Sequence, residues 1–196
     1  DLPASSGIGV VGSLPDLHGM LRNMTLDLAL RHFYKEVKLF YLFDEGEAEE
    51  FGWVRWLRHV ANEDLNIRNL ASGEESQNTV LEYLYNTLTQ RENLRKENRD
   101  APFAVHLVVL IRNVKRMEQH PVSRYFETAS LYGVTFVFLE EYEEWLPRGC
   151  DQVVRLQGDG SQGAVLESRD GRHSLAFAYP QIAPDTTAQI ASLLAG

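Results

Sequence analysis

The sequence predicts an α/β domain built around a mostly parallel sheet, and three observations support this fold class. Apolar, β-rich segments alternate along the chain with segments whose apolar residues recur at helical spacing. Residues 104–111 form a nearly unbroken apolar run, which is typical of a strand covered on both faces. A glycine-rich, strand-like run at residues 7–12 leads directly into an apolar helix. Repeated β-α units of this kind imply parallel strands joined by right-handed crossovers.

The first three quarters of the chain supply these β-α units. Strands are predicted at residues 7–12, 37–43, 104–111 and 133–139, with a weaker candidate at 66–70. Helices are predicted over residues 14–32, about 47–59, about 74–96 and 121–132. Gly133 is expected to stop the last of these helices.

The end of the chain changes character and predicts a β-hairpin extension. Three short strand-like runs, at 152–156, 163–167 and 174–177, are separated by Gly158-Asp159-Gly160 and by Asp170-Gly171. Glycine and aspartate at these positions favour hairpin turns. A last helix is expected over 188–194, opened by the segment that starts at Pro184.

Composition limits the class of protein. At 196 residues and 44% hydrophobic, the chain can bury one full core, so residues 1–196 are expected to form a single domain. The net charge of −9, without a basic cluster, argues against a nucleic-acid partner. The single cysteine, Cys150, excludes an intrachain disulfide and a Cys-rich zinc site and fits a reducing compartment.

The chain reads as a piece of a longer protein. It begins at Asp1-Leu2-Pro3, without an initiator methionine and without a basic-then-apolar leader. No segment reaches the roughly 20 consecutive apolar residues that a membrane-spanning helix needs.

The turn at residues 12–19 lies where a phosphate-binding loop would be expected, but it lacks the loop's chemistry. A P-loop requires a glycine-rich turn, a lysine for the terminal phosphates and a Ser or Thr for magnesium. Here Ser13 and Leu14 follow Gly12 in the positions of that Lys and Ser/Thr. Without the lysine, the charge that neutralises the β- and γ-phosphates is missing, and such electrostatic stabilisation is most of what a protein contributes to phosphoryl transfer. The amides at the helix start keep some capacity to hold an anion weakly.

The magnesium-binding strand of such a site is altered as well. Residues 107–111 have the expected apolar character, but Arg112 and Asn113 follow where an acidic residue would hold the metal. Two independent losses at matching places predict a degenerate nucleotide site with no catalytic residue. No cofactor is therefore expected, and ATP with magnesium would bind only weakly.

Residues 7–12 also match the dinucleotide-binding pattern G-x-G-x-x-G, which raises a small oxidoreductase as an alternative. That pattern should follow a strand, and an acidic residue should stand about 20 positions later. Residues 1–6 are not strand-like, and Asp44 lies much farther along the chain. Tight NAD binding would be required to support this alternative.

The segment around Trp53, Arg55 and Trp56 is the most distinctive stretch of the chain. Residues three apart share a face of a helix, so the two tryptophans are expected to point the same way. Packing in the core is the more common role for such a pair. A docking surface for a neighbouring domain is the alternative, because Trp and Arg are favoured interface anchors.

The remaining polar residues do not indicate a metal or a nucleophile. The acidic runs at 44–50 and 140–144 are typical of solvated loops and helix starts. The six histidines show no spacing typical of zinc ligands, so no metal site is predicted. No G-x-S-x-G motif is present either.

The order of several motifs resembles a known family. These motifs are Gly9 to Ser13, Leu21-Arg22, Phe43 to Glu45, Trp53 to His59, Leu146-Pro147 and Cys150. Together they resemble the cytosolic domain that precedes the ATPase modules in EssC/EccC-type proteins, the membrane-anchored FtsK/SpoIIIE-family ATPases of type VII (ESX) secretion. The resemblance covers nearly the whole chain, and the segment 53–59 is its most specific part, although Arg58 stands where family members often have Pro. An ungapped match of residues 21–29 to the helix after the P-loop of FtsK-type ATPases places Leu17 and His18 in the Lys and Ser/Thr positions.

The resemblance implies a P-loop-NTPase-like (RecA/FtsK-type) three-layer domain within a larger parent protein. Such a parent would have transmembrane helices upstream and ATPase-like domains downstream, would oligomerise as a hexamer, and would move small helical substrates across the membrane. This domain would lie at the cytoplasmic face of the membrane, with the downstream ATPase domains and other membrane components of the secretion system as its partners. The predicted function is a non-hydrolytic structural or regulatory module, and the alternative is a domain that senses ATP weakly without hydrolysing it.

Overall fold

The structure is a computed structural model that describes residues 5–158 and 163–195, and within them it has ten strands and five α-helices. The strands are β1 (Gly7–Val11), β2 (Val37–Leu42), β3 (Ala61–Asn62), β4 (Ile67–Arg68), β5 (Leu70–Ala71), β6 (His106–Arg112), β7 (Val134–Glu140), β8 (Gln152–Leu156), β9 (Gly163–Ser168) and β10 (Ser174–Ala178). The helices are α1 (Leu14–Arg31), α2 (Ala48–Phe51), α3 (Glu74–Glu97), α4 (Val114–Met117) and α5 (Pro184–Leu194). Short 3₁₀ segments occupy Glu45–Glu47, Gly52–Trp56, Arg58–Val60, Pro121–Tyr125, Ala129–Tyr132 and Glu143–Trp145.

Eight strands form one sheet in the order β10-β9-β8-β1-β7-β6-β2-β5. All neighbouring strands from β8 to β5 pair in parallel, and β8, β9 and β10 pair antiparallel as a C-terminal extension. Strands β3 and β4 pair separately as a small hairpin. The predicted α/β class, the mostly parallel sheet and the hairpin extension are confirmed. Residues 159–162 lie outside the described part of the chain, and so does most of the predicted Gly158-Asp159-Gly160 turn.

The sheet is the middle of three layers. Helices α1 and α5 and the segment 45–60 pack on one face, and α3 packs on the other. Alternate residues of β6 enter the two cores, with Val108 and Leu110 on the α1 face and Val109 and Ile111 on the α3 face. Because side chains alternate along a strand, a strand buried on both faces must be apolar at nearly every position. This double burial explains the unbroken apolar run that predicted β6.

The register brings the carboxyl ends of three strands to one edge of the sheet. Val11 at the end of β1 lies opposite Glu140 of β7, and Arg112 of β6 lies opposite Leu139. In open α/β sheets, ligands bind at this carboxyl edge, where the crossovers change direction. The residues that follow β1, β6 and β7 therefore define the place to look for a site.

The predicted helix over 47–59 is wrong. Only α2 is α-helical there, and the chain continues as two 3₁₀ segments, Gly52–Trp56 and Arg58–Val60. The fully buried side chains in this stretch are Phe51, Val54, Leu57 and Val60, which recur every third residue. Phe51 reaches the core from the end of α2, Val54 and Val60 from the two 3₁₀ segments and Leu57 from the extended residue between them, so no single regular helix positions all four.

Two other segments also differ from prediction. Residues 121–132 form two 3₁₀ segments, because the chain leaves helical geometry at Thr128, where φ is −122°. Gly133 adopts the left-handed conformation with φ of 67° and ends this region as expected. The candidate strand at 66–70 is divided between β4 and β5.

Two further features of the structure are the burial of the single cysteine and the character of the helices. Cys150 is fully buried, and burial raises the pKa of its thiol to about 12. Among the helices of residues 5–158 and 163–195, none combines the length and apolar content that a membrane crossing requires.

Candidate functional site

Polar groups of the turn between β1 and α1 form hydrogen bonds with other groups of the chain. Ser13 is the N-cap of α1, where its hydroxyl accepts a hydrogen bond from the Asp16 backbone N–H and donates one of 2.6 Å to the Asp16 carboxylate. The Gly12 N–H donates to the backbone carbonyl of Glu140 at 3.3 Å. The Ser13 hydroxyl and the Gly12 amide, which lie in the turn where a phosphate-binding loop would be expected, thus already have protein partners.

The two residues in the Lys and Ser/Thr positions of the ungapped match have different environments. Leu17 is fully buried and packs in the core beneath α1. The His18 ring lies edge-on to Phe51 at a centroid distance of 6.2 Å, and its Nε2 donates a hydrogen bond of 2.8 Å to Glu47 Oε1. A leucine cannot neutralise a phosphate, and the imidazole has an anionic partner within the chain.

Arg112 is bound by the same carboxylate. It is 8% exposed, and its Nε lies 3.0 Å and 3.3 Å from the two oxygens of Glu47. Its Nη1 donates a hydrogen bond of 2.6 Å to the Leu139 carbonyl oxygen. This bond fixes the guanidinium at the carboxyl edge of the sheet. The residue predicted to follow the strand is in fact its last residue. Glu47 therefore bridges the imidazole of His18 from α1 and the guanidinium of Arg112 from β6.

Asn113 has an unusual backbone conformation. Its φ is 58°, the left-handed region that non-glycine residues rarely adopt and that Asn tolerates best. Its side-chain amide donates to Asp44 Oδ1 at 3.3 Å, which links the end of β6 to the loop after β2. Its carboxamide carries no charge and supplies no carboxylate for a divalent cation.

Sequence reasoning missed Glu47. Burial of this carboxyl group would raise its pKa, but hydrogen bonds and charge from His18 and Arg112 outweigh burial and lower the pKa below its usual range. The acidic run 44–50 as a whole is typical of solvated residues, and nothing in its sequence distinguishes the carboxylate that turns inward. His18 and Arg112 both occupy positions of the predicted degenerate nucleotide site, but the sequence gives no reason to place Glu47 between them.

Gly12 is required for close packing against Leu156. A Cβ added at Gly12 would lie 2.9 Å from Leu156 Cβ, an atom that moves only with its backbone. We expect Gly12→Ala to lower the free energy of unfolding by about 1–3 kcal/mol, the usual cost of overpacking. Urea denaturation measures this change. The control is Gly46→Ala, whose Cβ would meet no atom within 4 Å and which should remain within about 0.5 kcal/mol of the parent chain. Equal stabilities of the two variants would contradict the packing role.

The two tryptophans do not share one face. Trp53 is 8% exposed and joins the core that includes Ala191 of α5, whereas Trp56 is 51% exposed. Helix α5 packs against the 3₁₀ segment Gly52–Trp56, but the chain becomes extended at Leu57, and Trp56 stays at the surface. Arg55 is exposed, with its guanidinium 5.4 Å from the centre of the Trp56 ring, a cation–π distance. The expectation that the indoles point the same way is therefore wrong, and of the three predicted docking residues Arg55 and Trp56 face solvent.

The carboxyl edge offers no metal site in the described part of the chain. No group of three or more His, Cys, Asp or Glu side chains there is arranged to hold an ion. Glu143, from the second acidic run, instead pairs with Arg155 at 2.8 Å.

Comparison of the sequence with known proteins gives distant relatives in one class. No family model matches the chain. The type VII secretion system protein EssC of Staphylococcus aureus is 25% identical over 142 residues, which cover 70% of this chain and 10% of that protein. The ESX secretion system protein EccC of Geobacillus thermodenitrificans is 23% identical over 167 residues, or 85% of this chain and 11% of that protein. The chain thus spans about a tenth of the length of the curated relatives it matches.

Solved structures show the same fold at low identity. Geobacillus thermodenitrificans EssC, in a structure of its ATPases 2 and 3, superposes with a TM-score of 0.72 at 12% identity over 97% of this chain and 43% of that one. Thermomonospora curvata EccC, in a structure of its ATPases 2 and 3 with a signal sequence peptide, gives a TM-score of 0.68 at 16% identity over 98% of this chain and 42% of that one.

Proposed function

We propose, from the premise that this chain is an ATPase-like domain related to the EssC and EccC proteins of type VII secretion, that it is a non-hydrolytic structural or regulatory module. The relationship predicted from the sequence is confirmed by the similarity to EssC and EccC, and the P-loop-like α/β fold is confirmed by the solved ATPase domains. In this proposal the module couples the membrane part of a larger parent protein to its downstream ATPase domains.

The observation that carries the proposal is the position of Glu47. Its carboxylate accepts from both His18 and Arg112 at the carboxyl edge of the sheet, beside the start of α1. A nucleotide phosphate brought to this edge would compete for the same two donors, His18 and Arg112, and it would have to displace a carboxylate already held within the chain. Displacement would leave the Glu47 carboxylate without partners, which costs free energy in a buried position.

The surroundings of the edge add to this argument. A cleft next to Arg112 is lined by Asp44, Glu140, Glu141 and other acidic residues. A triphosphate carries several negative charges, and like charges in a partly desolvated site repel one another strongly. The missing lysine, the internal carboxylate and the acidic surroundings each oppose ATP binding.

The docking surface of the proposed module is the pair Arg55 and Trp56. An exposed tryptophan with an arginine over its ring has the composition of an interface hot spot. The proposed partners are the downstream ATPase domains of the same parent and other membrane components of the secretion system. The proposed location is the cytoplasmic face of the membrane, with anchoring helices elsewhere in an oligomeric parent.

One observation favours the second candidate, a weak nucleotide sensor. The connection of β1 to the 18-residue helix α1 through the Gly12-Ser13 turn is intact, so the positive end of a helix dipole points to the carboxyl edge. This feature would support millimolar binding of an anion at most, because no lysine accompanies it.

Calorimetric titration of the chain with Mg-ATP, combined with a phosphate-release assay, tests both candidates. We expect no saturable heat at millimolar ATP and no hydrolysis above background. A saturable signal that is lost in Ser13→Ala, with no hydrolysis, would instead support the sensor. Hydrolysis by the chain alone would contradict the proposed function.

A further inference from the structure

Strand β10 is an open edge of the large sheet. It stands last in the strand order, and within the described part of the chain it pairs with β9 alone. Four of its five residues are exposed, and the fifth, Phe177, is partly buried. An edge strand presents backbone donors and acceptors to a further strand. The opposite edge of the sheet, β5, has only two residues and is a much shorter template.

The register with β9 determines which backbone groups of β10 are open. The Ser168 N–H donates a hydrogen bond of 2.9 Å to the His173 carbonyl oxygen, so these two residues form a hydrogen-bonded pair of the antiparallel ladder. Hydrogen-bonded and non-hydrogen-bonded pairs alternate along such a ladder. Every second residue of β10 therefore points its N–H and C=O away from β9. These residues are Ser174, Ala176 and Ala178.

Strand β10 lacks the features that usually protect an edge from pairing. Residues 174–178 include no charged residue and no proline, and the three residues with open backbone groups have small side chains. The chain as a whole carries a net charge of −9. An uncharged strand lets two such acidic chains meet without placing like charges opposite each other.

The sequence of β10 is suited to pairing with a second copy of itself. In an antiparallel pair centred on Ala176, Ala176 lies opposite its own copy and Ser174 lies opposite Ala178, so each open residue meets another open residue. This register forms about six hydrogen bonds. A pair centred on Leu175 would leave Ala178 without a partner and would form fewer bonds.

Apolar side chains meet across the same pair of strands. Leu175 and Phe177 lie on one face of the sheet, because side chains alternate along a strand. In the register centred on Ala176, Leu175 of one copy lies opposite Phe177 of the other. Leu175 is 55% exposed and lines an open cleft of about 300 Å³ together with Leu166 and His173. Phe177 of the second copy would cover Leu175 at the rim of this cleft, which favours a second copy over an unrelated strand.

We propose that two copies of this chain associate through β10, so that their sheets join in an antiparallel pair with twofold symmetry. Such an interface uses the same surface of both copies and closes at the dimer. The inference does not depend on the proposed function, because β10 contains no residue of the carboxyl edge and neither Arg55 nor Trp56.

Sedimentation equilibrium of the chain at micromolar to millimolar concentration, combined with hydrogen–deuterium exchange, tests the proposal. We expect a reversible monomer–dimer equilibrium, in which the amides of Ser174, Ala176 and Ala178 exchange more slowly as the concentration rises. Ala176→Pro should weaken dimerisation about tenfold or more, because the central residue pair loses both of its hydrogen bonds. Proline is tolerated in an edge strand where its nitrogen faces the open side, so the ladder with β9 should remain.

A second variant, Ala176→Lys, keeps every backbone donor and places two ammonium groups opposite each other in the dimer. We expect it to weaken dimerisation about threefold. The substitution also makes the chain less acidic, so it would strengthen the dimer if repulsion between the whole chains governed association. The matched control is Ala176→Ser, which keeps the donor and a small uncharged side chain and should dimerise like the unsubstituted chain. Thermal denaturation of each variant confirms that it is folded.

The dimer should be lost in Ala176→Pro and weakened in Ala176→Lys, with Ala176→Ser unaffected, and this set of results would support the proposal. Three outcomes would overturn it: a chain that stays monomeric at millimolar concentration, a dimer that all three variants retain equally, or a dimer whose slowed amides lie outside β10. None of these outcomes bears on the proposed function, which Mg-ATP tests separately.

Discussion

Replacement of Glu47 by Ala is expected to lower the free energy of unfolding by about 3–5 kcal/mol, the cost of removing one partner of a buried ion pair. The side chains of Glu47 and Arg112 are each 10% exposed, and Arg112 keeps only the Leu139 carbonyl when the carboxylate is removed. His18 loses its hydrogen bond at the same time. Urea denaturation, monitored by tryptophan fluorescence, measures the change.

The control for this prediction is Glu49→Ala. Glu49 is exposed, lies two residues away and has no ion pair with any described residue, so its loss should change stability by no more than about 0.5 kcal/mol. The double variant Glu47→Ala/Arg112→Ala should cost less than the sum of the two single variants, because the second change removes the cation that the first leaves unpaired. Two outcomes would contradict the role of Glu47 as the partner of Arg112. One is a double variant whose loss of unfolding free energy equals the sum of the two single losses, and the other is a loss in Glu47→Ala close to that in Glu49→Ala.

Trp53→Ala and Trp56→Ala are expected to differ sharply although the residues are three apart. Trp53 is buried among the residues of α1 and α5, so its truncation should cost about 3–5 kcal/mol of unfolding free energy. Trp56 is half exposed, and its truncation should cost no more than about 0.5 kcal/mol. Thermal and urea denaturation of both variants provide the comparison.

A conservative variant separates packing from hydrogen bonding at Trp53. The Nε1 of Trp53 is buried and has no hydrogen-bond partner among residues 5–158 and 163–195, so Trp53→Phe gives up no hydrogen bond seen there and should retain most of the stability that Trp53→Ala loses. A loss in Trp56→Ala equal to that in Trp53→Ala would contradict the assignment of Trp56 to a free surface. In a longer parent fragment, Trp56→Ala should weaken docking to the adjacent domain while leaving this domain folded.

The strands were predictable because a strand buried on both faces appears in the sequence as a continuous apolar run. Residues 37–43, 104–111 and 133–139 are apolar at nearly every position, and this pattern is typical of a strand with cover on both faces. The helices α1 and α3 were predictable because each buries one stripe over several turns. Segment 47–59 was mistaken for a helix because apolar residues at spacing three and at spacing three-to-four look alike over so short a stretch.

The sequence by itself determined the α/β class, the family resemblance and the absence of the phosphate-binding lysine, because each of these depends on residue types at near-neighbour positions. Only the tertiary structure decided that Glu47 joins His18 to Arg112, that Trp53 and Trp56 have different environments, and that Glu140 lines an acidic cleft. The partners in these contacts are 29 and 65 residues apart for Glu47 and 26 residues apart for Glu140. Parallel pairing of β1, β7 and β6 brings them to one sheet edge, and that register is a property of the whole core, so no local pattern in the chain carries it.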